Sequence, residues 1–138
     1  MIHLFSALNW MSILAAFAGY FFLGPLWYMF LFKKQYARSL GRENQPQSKQ
    51  AATYIVGPAV CSLIITITSA LFMHALEINS YTAALEFAFV AGLGYLVTNT
   101  INIAINPNIP RPMLYGAVSG AFHLVGIVVA CTVLYAMK

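Results

Sequence analysis

Four long apolar runs, parted by one polar segment and two short turns, set the pattern of the chain. They cover about residues 8–32, 53–76, 83–105 and 113–137. Each run holds about 22–25 residues, enough for a helix to cross a hydrocarbon core of about 30 Å at about 1.5 Å per residue. Short connections between long helices make neighbours antiparallel. The expected fold is therefore an all-α membrane protein, a four-helix antiparallel transmembrane bundle built as a single domain.

Each run carries a few polar or small residues at helical spacing. In the first, Asn9, Ser12, Ala16 and Gly19 form a small, weakly polar stripe suited to close packing. Gly24-Pro25 then removes a backbone donor and predicts a bend. Trp10 and the Trp27-Tyr28 pair lie about 25 Å apart along a helix, as two interfacial aromatic anchors would. A cleaved signal peptide is the competing reading of this run. Met1–Ser6 lacks a positive charge, however, and the apolar run continues through Tyr20–Phe32, so a retained helix is expected.

In the second run, Ser62, Thr66, Ser69 and Met73 share a face beyond Gly57-Pro58, where a second bend is expected. Their hydroxyls either bond back to carbonyls of their own helix or line an interhelical path. The third run opens with Thr82 as the expected N-cap and Glu86 near the first turn, where the helix dipole favours an anion. Gly92, Tyr95, Asn99, Asn102 and Asn106 then fall on one stripe, the most polar in the apolar runs, with Glu86 on the other side. Glu86 is either shallow and solvated or, if turned inward, a proton or cation site. The last run holds Gly116, Gly120 and His123 on one face. An imidazole near the middle of an apolar helix is the most chemically capable group in the chain: it is either a neutral packing histidine bonded to Tyr115, Asn99 or Ser62 of its surroundings, or a proton relay or ligand contact.

Composition strengthens the membrane reading. With 61% hydrophobic and 7% charged residues, a chain of 138 residues cannot cover its apolar surface without lipid. The formal charge of +4 is not a nucleic-acid footprint, because Lys33, Lys34, Arg38, Arg42 and Lys49 fall together between the first two runs. Positive residues collect in cytoplasmic loops. That bias places the 33–50 loop and Arg111 inside and both termini outside. The loop is either a solvated topology signal, with Lys33–Leu40 as a short helix at the headgroups, or also a site for anionic lipid. Cys61 and Cys131 fall inside apolar runs and read as free thiols.

Catalytic chemistry has little support. There is no Asp, no serine or cysteine has a base at a recognisable spacing, and no phosphate loop follows a strand. His3, His74, Glu77 and Glu86 fall on one side, but nothing in their spacing fixes a metal geometry. A haem on His123 would need a second midplane histidine, and His3 and His74 lie near the ends of helices. No cofactor is expected.

Both ends of the chain carry motifs that resemble the bacterial membrane proteins grouped as domain of unknown function 1761. The opening motif is Asn9-Trp10, Gly19 and Gly24-Pro25-Leu26-Trp27-Tyr28. The closing motif runs from Leu114 to Leu124 and ends Ser119-Gly120-Ala121-Phe122-His123-Leu124. Pro25 stands where the family has a small residue, Tyr36 where tryptophan is common, and Ser119 and Phe122 where it has Asn and Tyr. The resemblance implies a four-helix protein of a bacterial cytoplasmic membrane and no particular activity.

Two function classes remain. One is a non-enzymatic protein moving a proton, ion or small solute through a cavity near Ser62, Thr66, Asn99, Asn102, Tyr115 and His123, with Glu86 at its mouth. The other is an accessory protein that binds a larger membrane partner and anionic lipid. Gly116-x-x-x-Gly120 serves either its own helix packing, with Gly19, or a homo-oligomer.

Overall fold

A computed structural model describes residues 2–44 and 52–138. Lys49 and the rest of 45–51 lie outside the described residues. Four helices are long and apolar enough to cross a membrane: Trp10–Leu31, Thr53–Ala75, Tyr81–Ala104 and Pro112–Ala136. They are called the first to fourth crossings below. No strand occurs among the described residues. The expected all-helical, four-crossing architecture is found, with boundaries shifted by a residue or two.

Local chemistry explains those boundaries. The Asn9 side chain accepts from the Met11 and Ser12 amides and so caps the first crossing. Ser80, in extended conformation, caps the third crossing by accepting from the Ala83 amide. Thr82 is therefore not the cap expected from sequence. The hydroxyl that reaches a free amide belongs to the residue before Tyr81, which puts Glu86 beyond the first turn and exposed. The fourth crossing starts on Pro112, whose missing amide hydrogen costs nothing at a helix start.

Two crossings are not α-helical throughout. The first changes to a π-helix over Leu26–Leu31, directly after Pro25, and the third does so over Gly92–Val97. A π turn takes in an extra residue and rotates everything beyond it relative to an α-helical wheel. Pro58 sits within the second crossing, which remains one continuous α-helix.

The fourth crossing is the centre of the molecule. The first crossing packs along it, the third covers another side, and the second touches both it and the first. Asn9 Nδ2 donates to the Met137 carbonyl at 2.8 Å, so the start of the first crossing meets the end of the fourth. Tyr135 Oη donates to the Asn79 carbonyl at 3.0 Å at that same end. At the opposite end the Arg111 amide donates to the Ser39 carbonyl at 3.2 Å, and the Arg111 guanidinium binds Glu43 and the Arg38 carbonyl. The bundle is antiparallel and tied at both ends. Below, these are the termini end and the basic-loop end.

Lys33–Ser39 forms the short helix expected after the first crossing, with Lys33, Lys34, Arg38 and Arg42 exposed. The buried core lies mostly toward the termini end. Ile13, Ala16, Ala84, Ala88, Ala130 and Cys131 are essentially inaccessible there, and the small alanines among them let the helices approach closely.

Candidate site at the centre of the bundle

His123 lies near the middle of the fourth crossing, and Tyr20 near the middle of the first. The Tyr20 hydroxyl sits 3.0 Å from His123 Nδ1. Tyr20 is fully buried, and its ring occupies the space beside Gly126 where any Cβ would fall. That glycine is what lets a phenol from the first crossing reach an imidazole one turn back on the fourth.

The contact supports two arrangements of one proton. With Nδ1 unprotonated, the phenol donates to it and the imidazole carries its proton on Nε2. With a proton on Nδ1 the imidazole donates, and the phenol then turns to the His123 carbonyl at 3.5 Å. Nε2 forms no hydrogen bond to any described residue.

An aromatic cluster extends from this pair toward the basic-loop end. Phe122 stands between Tyr20 and Tyr28, with ring centroids 5.7 and 5.0 Å away. Tyr28 meets Tyr36 at 4.7 Å, and Tyr36 meets Tyr115 at 5.9 Å. Burial, with the neighbouring Tyr115 phenol, pushes the Tyr36 pKa above the ordinary tyrosine value, so it keeps its proton at neutral pH. The Tyr28 hydroxyl lies beside Ser119. Ser119 is almost inaccessible, yet its Oγ completes no hydrogen bond.

Not all the polar residues singled out from sequence converge here. Tyr115 does. Ser62 and Thr66 are buried, but their hydroxyls donate to the carbonyls of Pro58 and Ser62 four residues back, both at 2.8 Å. They serve their own helix. Asn99 and Asn102 face outward with Tyr95, whereas Gly92, Thr100 and Ala104 face the bundle. The π turn over Gly92–Val97 rotates the later part of that helix, so an α-helical wheel misplaces the stripe. The polar lining expected on the third crossing is thus corrected. Glu86 is exposed, and no three His, Cys, Asp or Glu side chains gather as metal ligands among the described residues.

The packing glycines face inward. A Cβ on Gly116 would press on Ile101, one on Gly120 on Val97, and one on Gly19 on Val129. Trp10 is exposed, as a lipid-facing anchor would be, but Trp27 is not. Its indole Nε1 donates to the Val118 carbonyl at 3.0 Å and its ring stacks near Phe32. Tyr28 turns into the aromatic cluster. The π-helical stretch after Pro25 swings both away from the positions an α-helix would give them.

Tyr20 and Gly126 escaped the sequence reading. Tyr20 follows Ser12 and Ala16 at intervals of four, so continuing that stripe by four rather than three would have found it. Gly126 stands three residues beyond His123, continuing the glycine face.

Residues 11–135 match the family described as protein of unknown function (DUF1761). The chain belongs to that family. The match takes in both halves of the Tyr20–His123 contact, all four tyrosines of the cluster and Ser119. No curated protein and no solved structure matches the chain.

Proposed function

We propose that this multi-pass membrane protein moves a proton, alone or together with an ion or small solute, and that the His123–Tyr20 pair takes it up and releases it. The 3.0 Å contact between Tyr20 Oη and His123 Nδ1 carries this reading. Ionisable groups inside a membrane are costly and concentrate on ion and proton pathways. Histidine is also the side chain whose ordinary pKa lies near neutrality. In this reading the protein lies in a bacterial cytoplasmic membrane with both termini outside. Its exposed Lys33, Lys34, Arg38 and Arg42 rest against anionic headgroups.

The packed interior favours a relay between side chains over an open pore. A cleft of about 230 Å³ at the termini end, lined in part by Leu8, Met73, His74 and Leu134, does not reach His123. The test is a proton-flux assay in liposomes with a trapped pH dye. His123→Gln keeps the size and polarity of the site but cannot take up a proton at Nε2. Flux should fall to the level of empty vesicles, and flux equal to the unsubstituted chain would reject the reading.

A second reading, an accessory protein seated against a larger membrane partner, draws on the second crossing. Its first half exposes Tyr54, Ile55, Val56 and Val60. A purified complex with unchanged assembly in His123→Gln would favour that role. Because Gly116 and Gly120 are spent inside the bundle, any homo-oligomer must use another face.

A further inference from the structure

One stripe of the fourth crossing changes character at His123. Tyr115, Ser119 and His123 follow each other at four-residue intervals, and Ile127 and Cys131 continue the same series. Toward the basic loop the series is hydroxyl, hydroxyl, imidazole. Toward the termini it becomes a methyl-rich chain and a buried thiol.

The first crossing repeats the division. Beyond Tyr20 toward the basic loop it offers Tyr28, and the linker helix adds Tyr36. Toward the termini end it offers Ala16 and Ile13, which pack with Ala130, Cys131 and Leu134. The buried Ser12 hydroxyl there donates to the Asn9 carbonyl of its own chain end at 2.7 Å, and buried Ser69 lies against the Cys131 thiol, so neither continues the string to His123. Hydroxyls both donate and accept, so a string of them can pass a proton along. Methyl groups cannot.

A gap in that string is marked by Ser119. It is 3% exposed, and its Oγ lacks a hydrogen-bond partner. Buried hydroxyls in this position are normally satisfied by protein or by ordered water. It lies one turn from His123 and beside the Tyr28 hydroxyl.

Resting on the proton-moving role proposed above, we infer that in the conformation described His123 exchanges protons fastest with the basic-loop face, through Ser119, a bound water and the phenols of Tyr28, Tyr36 and Tyr115. The packed termini half of the bundle is the slow part of the crossing and must loosen before a proton leaves on that side. A proton arriving at the Ser119 water passes to the imidazole, which returns to neutrality by releasing it back along the same hydroxyls or, more slowly, through the termini half.

The test uses the full chain with His3→Gln and His74→Gln, which leaves His123 as the remaining imidazole of three. The protein is reconstituted with uniform orientation in vesicles of phosphatidylethanolamine and phosphatidylglycerol. His123 protonation is followed by infrared difference spectroscopy after a pH jump on one face at a time. An acid jump on the basic-loop face should protonate His123 promptly, and one on the termini face should do so at least about tenfold more slowly. Ser119→Ala should slow the response about tenfold, the effect of about 1.4 kcal/mol on a barrier. Ser119→Asn, which supplies donor and acceptor, should restore it.

Equal response rates from both faces, or a faster response from the termini face, overturns the inference. So does a Ser119→Ala protein that responds at the unsubstituted rate. If Ser119→Ala fails to assemble, the sidedness of the unsubstituted chain decides. A His123 that never titrates from either face rejects the proton-moving role and the inference with it. One that titrates faster from the termini face rejects only the inference.

Discussion

Tyr20 and Gly126 share one volume. The phenol ring of the first crossing fills the place where the fourth would carry a side chain, and its hydroxyl is thereby aimed at His123. Gly126→Ala forces the ring or the helix to shift, at about 1–3 kcal/mol for overpacking a close contact. Thermal unfolding in detergent should fall accordingly, and the His123 imidazole nitrogen signals should move with it. An unchanged melting curve would show that the two helices separate easily there.

Tyr20→Phe keeps the packing and deletes only the hydroxyl. Losing this buried hydrogen bond should cost about 0.5–1.5 kcal/mol, and His123→Ala about 1–3 kcal/mol, since it also leaves the phenol unpaired. The two single variants and the double variant form a cycle. If their effects on unfolding simply add, the hydrogen bond contributes nothing.

Replacing both Asn99 and Asn102 with Leu should leave proton flux and melting nearly unchanged. Both amides face outward from the bundle, and apolar replacements suit a lipid-facing position. Loss of flux in this variant would put the third crossing back on the pathway.

Neutralising Lys33, Lys34, Arg38 and Arg42 together should weaken the orientation preference, because loop positives hold a helix hairpin on the cytoplasmic side. Reporters fused at either terminus would then appear on both sides of the membrane. Reporters that stay outside would assign the orientation to other residues.

The sequence made the four crossings legible through length and apolarity, which depend on no partner. His123 was legible because a single imidazole stands out in an apolar run. Its partner was not, since Tyr20 sits among many aromatics and only the packing against Gly126 distinguishes it. Asn99 and Asn102 were misplaced because both stand beyond a π turn, and sorting faces by a helical wheel assumes that no such turn exists. Trp27 was placed by its distance along the helix, which says nothing of the side it faces. Its inward turn follows the π-helical stretch after Pro25.

The central position of the fourth crossing also bears on how the protein is made. The third crossing packs almost entirely on the fourth, and the Asn9 amide waits for the Met137 carbonyl. A ribosome thus releases three helices into the membrane before the surface that unites them exists. Until then Tyr20 and the inward hydroxyls of the second crossing face lipid or the insertion machinery. A chain stopped before Pro112 should persist as loosely associated hairpins and fall to membrane proteases, while one that includes the 25-residue helix Pro112–Ala136 closes on it.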